Sequence, residues 1–195
     1  MPNNENKARF KNIEGESVPS VKFRVQDDNE WEAWSTDTMF KGKRVILFSL
    51  PGAFTPTCSG QQLPTYDEMY NTFKSIGVDD VYCISVNDAF VMNAWARDLQ
   101  IKNVKMIPDG CGTFTRNLGM LVNKPAQGFG MRSWRYSAVI NNCVVEKMFV
   151  EPGFNNFSAD DDPYTVSKPE HMNIYLQQTD PRHDQPLPNL DINPS

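Results

Sequence analysis

Apolar residues crowd together in some stretches of this chain and recur at fixed intervals in others. Six segments, 21–25, 45–50, 81–86, 104–107, 136–140 and 143–150, are rich in β-branched and aromatic residues and read as strands. The longest apolar run, Val45-Ile46-Leu47-Phe48-Ser49-Leu50, suits a buried strand. Within 59–76 the period changes. Leu63, Tyr66, Tyr70 and Phe73 recur at spacings of three and four, which predicts a helix kinked by Pro64 and stopped by Gly77. Asp88 reads as the N-cap of a second helix running to about Leu99, with Val91, Met92 and Trp95 on its apolar face. A third helix is expected over 113–121 and a fourth over 169–178, with Pro169 in its first turn.

Strands and helices alternate in the first half and give way to two adjacent strands joined through Asn141-Asn142, a hairpin candidate. This order predicts an α/β layer fold, a mixed sheet covered by helices. The 195 residues suit one domain, expected over 1–178. Residues 179–195 are polar and proline-rich and read as a mobile tail.

Composition narrows the function. The net charge is −5 and the basic residues are scattered, so nucleic acid is not an expected partner. No apolar run is long enough to cross a membrane, and the start, Met1-Pro2-Asn3-Asn4-Glu5-Asn6, resembles neither a secretory signal nor a transit peptide. A cytoplasmic protein is expected. Cys58, Cys83, Cys111 and Cys143 are widely spaced, with no CxxC and no Cys/His cluster of zinc-site spacing. His171 and His183 lie far along the chain from every cysteine. No metal and no cofactor is expected.

Candidate chemistry concentrates at one junction. A strand ends at Leu50, a Pro/Gly loop follows, and a helix begins near Cys58. Free backbone N–H groups and the positive end of the helix dipole converge on such a position. Both favour a thiolate, the form that attacks peroxides and disulfides. Thr55, three residues earlier, carries a hydroxyl that both donates and accepts. Most free cysteines are merely small buried apolar residues; the strand-to-helix position favours an activated one. The residues alone do not choose peroxide over another electrophile.

The segment Pro51-Gly52-Ala53-Phe54-Thr55-Pro56-Thr57-Cys58 resembles the active-site signature of peroxiredoxins, Pro-x-x-x-Thr-x-x-Cys. The version here is close to that of the type II and type V subfamily, the atypical two-cysteine peroxiredoxins. Three later segments resemble that subfamily in order: Ser85-Val86-Asn87-Asp88-Ala89-Phe90-Val91, Phe114-Thr115-Arg116-Asn117-Leu118-Gly119-Met120 and Arg132-Ser133-Trp134-Arg135-Tyr136-Ser137. The resemblance covers about residues 15 to 178. It implies a thioredoxin-like fold, reduction of hydrogen peroxide or alkyl hydroperoxides, oxidation of Cys58 to a sulfenic acid, and a homodimer packed near the active-site loops. It also implies that Arg135, just before the late strand, approaches the sulfur, with Arg132 as the rival. A fixed guanidinium there stabilises the thiolate and bonds both peroxide oxygens. Pro51 is expected to cap the pocket and shield the sulfenic acid.

Turnover needs a second thiol. Some subfamily members carry a resolving cysteine in the loop corresponding to the neighbourhood of Val166-Ser167, yet no cysteine occurs from Glu151 to Pro169, so no internal disulfide of that type is expected. Cys83 sits mid-strand and is expected to be buried and inert, a resolving role being the alternative. Cys111 and Cys143 read as bystanders. The chain most resembles bacterial proteins that fuse this domain to a glutaredoxin, through Met148-Phe149-Val150-Glu151-Pro152 and Gly119-Met120-Leu121-Val122. Residues 179–195 are too short for a glutaredoxin and hold no CxxC. The resemblance therefore implies a one-cysteine cycle recycled by glutathione and a separate glutaredoxin, or by thioredoxin. A peroxide sensor that relays oxidation to a partner protein is the competing reading. A thioredoxin-type disulfide reductase needs a second thiol beside the first, and Ser59-Gly60-Gln61 offers none.

Overall fold

A computed structural model describes residues 11–27, 30–155, 158 and 160–180. In chain order the first elements are β1 (Lys22–Asp27), β2 (Glu30–Ser35), α1 (Thr36–Phe40), β3 (Arg44–Ser49), a π-helical turn (Cys58–Gln62), α2 (Leu63–Glu68), α3 (Tyr70–Ser75) and β4 (Asp80–Ser85). Then come α4 (Ala89–Asp98), β5 (Lys105–Pro108), α5 (Thr113–Asn117), β6 (Leu121–Lys124), β7 (Gly130–Ser133), β8 (Tyr136–Asn141), β9 (Val144–Val150) and α6 (Pro169–Gln178).

The apolar run at 45–50 becomes the middle strand of a five-stranded sheet ordered β5-β4-β3-β8-β9. β3 pairs in parallel with β4, and β4 with β5, while β8 runs antiparallel to β3 and β9 to β8. The sheet is therefore mixed and its helices flank it, the thioredoxin-like architecture. Both faces are covered, which explains why β3 is apolar at almost every position. Val45 and Leu47 join the cluster of Phe23, Phe40, Tyr82, Ile84, Phe114 and Trp134. Ile46 and Phe48 point the other way, into the cluster of Cys58, Tyr66, Phe73, Cys83, Trp95 and Met172. Cys58 thus packs against one face of β3 and Cys83 belongs to the same face.

The six expected strands are all present. Three more escaped the pattern. β2, with sequence Glu-Trp-Glu-Ala-Trp-Ser, pairs only with β1 and stays largely exposed, so it lacks the apolar alternation of a half-buried strand. β6 and β7 form a two-stranded ribbon of four-residue strands with polar members. The third expected helix is correspondingly shorter: α5 ends at Asn117, and Leu121 enters β6. The hairpin between β8 and β9 turns through Asn142 and Cys143, both at positive φ (48° and 67°), as a tight two-residue hairpin requires.

The helix expected over 59–76 is broken in a different place. Pro64 has no N–H to give the carbonyl of Gly60. The chain meets this with a π turn, Leu63 N–H bonding the Cys58 carbonyl five residues back, and α2 then continues through Pro64. The break falls at Met69 (ψ 0°). α4 starts as expected at Asp88, whose side chain accepts from Val91 N–H; Ala89, Met92 and Trp95 form its buried face, with Val91 only half-buried. α6 begins at Pro169 and packs Met172 and Leu176 under the sheet. Of the segment read as a tail, Thr179 accepts from Arg44 Nη2 at 2.8 Å and Asp180 is buried. Residues 181–195 lie outside the described residues.

Candidate active site

The loop between β3 and the π turn is held on itself and on the next strand-to-helix loop. Thr55 Oγ1 donates to the Gly52 carbonyl at 2.8 Å. Ala53 N–H donates to Asn87 Oδ1 at 3.0 Å. Phe54 takes a positive φ of 62°, which turns its ring out toward solvent. Helical backbone begins at Pro56, and the first ladder bond runs from Ser59 N–H to the Thr55 carbonyl at 2.9 Å. The Thr57 and Cys58 amides precede that bond and belong to the open helix end. Trp95 Nε1 donates to Ser59 Oγ at 3.0 Å and ties α4 to this turn.

Cys58 has no solvent exposure. Arg135, between β7 and β8, is equally buried and places Nη1 3.5 Å from Cys58 Sγ. The same nitrogen donates to Gln62 Oε1, four residues on from Cys58 in the π turn. Nη2 forms an ion pair with Asp162. The guanidinium also lies 5.5 Å from the ring centre of Tyr164. Nε of Arg135 finds no hydrogen-bond partner among the described residues. Burial works against a charged guanidinium, but Cys58 and Asp162 outweigh it and hold the pKa of Arg135 above its ordinary value.

A pocket of about 120 Å³ is walled by Pro51, Thr55, Pro56, Lys124, Phe129 and Asp162; it reaches Arg135 through its partner Asp162, and the buried Cys58 is not on its wall. Pro51, Thr55 and Pro56 on its wall belong to the loop that delivers Cys58. A small hydroperoxide fits such a space, with a hydroxyl on one wall and the Asp162 partner of Arg135 on another. Burial pushes the Lys124 amine below its ordinary pKa, and its Nζ donates to the Asp161 carbonyl at 2.7 Å.

The structure thus brings Pro51, Thr55, Cys58 and Arg135 to one place. Arg132 goes elsewhere: its Nε donates to the Phe129 carbonyl at 3.0 Å and its Nη1 to the Val86 carbonyl at 2.8 Å. Cys83 is buried in β4, in register with Phe48 and Met106. Burial, with a smaller contribution from the charge of Cys58, pushes its thiol well above the ordinary range. Cys111 is exposed and Cys143 sits in the hairpin turn. All four cysteines are free thiols. Sequence reasoning missed Gln62, Asp162 and Tyr164. Gln62 had a signal, a buried amide one turn after a candidate nucleophile; Asp162 and Tyr164 lie in an irregular segment that carries none. Among the described residues no group of three or more His, Cys, Asp or Glu could hold a metal ion.

Comparison with known proteins identifies the family. Residues 13–163 match the Redoxin family model. The chain is 58% identical to a peroxiredoxin of Rhizobium etli over 80% of its own length and 91% of the relative's. It is 51% identical to hybrid peroxiredoxin hyPrx5 of Haemophilus influenzae over 84% of this chain and 66% of that one. The crystal structure of the Plasmodium falciparum antioxidant protein, a 1-Cys peroxiredoxin, superposes with a TM-score of 0.80 at 36% identity, covering 84% of this chain and 99% of the other.

Proposed function

This chain belongs to the peroxiredoxin family, and we propose that Cys58 is the residue through which it reduces peroxide, in a cycle closed by an external thiol. Its activity is that of a thiol-dependent peroxidase. The observation that carries the assignment is the 3.5 Å approach of the buried Arg135 Nη1 to Cys58 Sγ, at the head of a helix and beside the pocket walled by Pro51 and Thr55.

The thiolate of Cys58 attacks the outer oxygen of hydrogen peroxide or an alkyl hydroperoxide. An S–O bond forms, the O–O bond breaks, and the sulfur gives up two electrons to become a sulfenic acid. The leaving hydroxide or alkoxide takes a proton from water. Arg135 offsets the negative charge as it passes from sulfur to the leaving oxygen. The Thr55 hydroxyl, which donates to Gly52, keeps its lone pairs for the hydroperoxide proton. Pro51 keeps bulk water off the sulfenic acid.

Glutathione then displaces water from the sulfenic acid to give a mixed disulfide, and a second glutathione, or glutaredoxin, restores the thiolate. Two names among the relatives support an external thiol, a hybrid peroxiredoxin and a 1-Cys peroxiredoxin. Thioredoxin is the alternative reductant. A homodimer is proposed on the same footing, since Phe54 and Phe90, each more than half exposed, flank the active-site loops.

Steady-state peroxide consumption with glutathione plus glutaredoxin, and separately with thioredoxin, tests this. Wild type is expected to turn over with the first pair, and its oxidised form to gain the mass of one glutathione on Cys58. Cys58→Ser is expected to be folded and inactive. Turnover retained in Cys58→Ser overturns the assignment; slow turnover with a trapped partner disulfide favours a peroxide relay.

A further inference from the structure

The segment after β9 folds back onto Arg135 and meets Nη2, while Nη1 is directed at Cys58 Sγ. It is pinned at several points. Glu151, itself buried, accepts from Thr165 N–H and Oγ1, Val166 N–H, and Ser167 N–H and Oγ. Tyr66 OH donates to the Ser167 carbonyl at 2.8 Å. Lys124 Nζ donates to the Asp161 carbonyl, and Ala126 N–H to Asp160 Oδ1 at 3.0 Å. Between these pins Asp162 pairs with Arg135 Nη2, and Tyr164 lies against the guanidinium. Asp162 is 40% exposed but not free to wander, because the backbone on both sides of it is tied down.

We propose that Asp162 is a positioning residue for peroxide reduction: it holds the Arg135 guanidinium against Cys58 and remains its counter-charge once Cys58 is oxidised. The inference rests on the reading of Cys58 and Arg135 as the reacting pair. In the reduced protein the guanidinium faces two negative groups, the thiolate through Nη1 and the Asp162 carboxylate through Nη2. Oxidation turns the thiolate into a neutral sulfenic acid. A buried cation without a partner is costly, and Asp162 is the carboxylate already bonded to it. The same pair fixes the rotation of the guanidinium plane, so that Nη1 points at sulfur before peroxide arrives. Gln62 holds Nη1 and Nε lacks a partner among the described residues, so Asp162 is the second anchor that sets the guanidinium plane.

The charge of Asp162 also opposes the thiolate, which separates its role from a purely structural one. The other titratable groups around the pair are Lys124 from β6, Asp160 and Asp161 beside Asp162, Tyr164 with Glu151 and Glu170 acting on it, Tyr66 from α2 and Cys83 from β4. They are common to every variant below. Asp162→Asn keeps an oxygen that accepts from Arg135 but removes the charge. Asp162→Ala removes both, and Asp162→Glu keeps the charge.

The test is rapid mixing of each reduced, full-length variant with hydrogen peroxide across pH 5–8, reading the second-order rate of Cys58 oxidation by tryptophan fluorescence. Asp162→Ala is expected to be slower on the order of 10-fold, with Asp162→Glu recovering most of the loss. Asp162→Asn is expected to shift the acid limb of the rate profile to lower pH, because the thiolate then feels the guanidinium unopposed. Equal losses in the Ala and Asn variants without a shifted limb, or wild-type behaviour in both, overturn the inference and leave the peroxidase reading intact. Wild type that does not oxidise at Cys58 overturns both.

Discussion

Cys58 and Cys83 lie in one apolar cluster beneath α2, α4 and α6, and neither has any solvent exposure. What surrounds them differs. Cys58 heads a helix, has Arg135 Nη1 at 3.5 Å, and follows a loop whose Pro51, Thr55 and Pro56 wall a pocket. Cys83 sits in the middle of β4 with a strand bonded on either side, and burial holds its thiol well above the ordinary range. Burial is thus common to a proposed nucleophile and to a thiol packed as a hydrocarbon. The difference lies in a paired cation and an open helix end, which lower the cost of a charged sulfur inside a core.

Removing the cation breaks the comparison most severely. Arg135→Met keeps the volume of a buried, elongated side chain and deletes the guanidinium. The rate of Cys58 oxidation by peroxide is expected to fall on the order of 10²-fold or more, the usual cost of losing a positioned donor at a site of developing charge. Arg135→Lys recovers only part, because one ammonium cannot reach Gln62, Asp162 and the sulfur together. Rapid-mixing kinetics on both variants and on Arg132→Met decide it. Slow oxidation confined to Arg132→Met would move the assignment to the other arginine, whose guanidinium here bonds the carbonyls of Phe129 and Val86.

That choice marks how far the sequence carries. The central strands were legible because both faces of the sheet are buried and β3 is accordingly apolar throughout. The helix start at Cys58 was legible from Pro51-Gly52 and the period that follows. β2 was not, because its pairing lies outside the main sheet and its side chains meet solvent. The π turn was half legible: Pro64 announces a disturbance, but whether the ladder kinks or slips to a five-residue bond depends on what packs against it. Asp162 and Tyr164 were invisible, since no period marks an irregular segment and their partner is 27 residues away in the case of Asp162.

The segment carrying Asp162 covers Arg135, and its anchor can be loosened without touching Cys83. Burial alone would raise the pKa of Glu151, but the donors of Thr165, Val166 and Ser167 overcome it and hold that carboxyl below its ordinary value. Glu151→Gln replaces one acceptor oxygen with a donor and leaves buried N–H groups facing another N–H. A loss of about 2–4 kcal/mol in urea unfolding at pH 7 is expected. The sign of the pH effect follows from the depressed pKa. The carboxylate's contribution is complete above its unfolded value, near ~4.3, and is lost as pH falls through the lower folded value. The gap between wild type and Glu151→Gln should therefore narrow below about pH 4. A gap that stays constant from pH 7 to pH 3.5 would mean the lost bonds do not depend on the charge.

The smallest expected effect is the sharpest test of the comparison, because it concerns the thiol that should do nothing. Cys83→Ser places a hydroxyl in the apolar cluster where the thiol is packed. A stability loss of about 1–3 kcal/mol is expected from burying that group, while turnover with glutathione and glutaredoxin stays near wild type. A disulfide needs the two Cα atoms within about 7 Å and side chains that face one another. Cys58 belongs to the head of a helix that Trp95 ties to α4, and Cys83 to a strand paired along both edges. The two thiols share one apolar cluster, so a bond between them would have to form inside the core, where neither has any solvent exposure. Glutathione has only to reach the pocket of Pro51 and Thr55. Oxidising the reduced protein with one equivalent of peroxide, without added thiol, and mapping the peptides by mass spectrometry separates the two routes. A sulfenic acid on Cys58 beside an unmodified Cys83 keeps the two cysteines in the roles their surroundings suggest. A Cys58–Cys83 disulfide, together with lost turnover in Cys83→Ser, would make Cys83 the resolving thiol of a two-cysteine cycle. In that case a thiol's resting environment would say little about its part in the chemistry.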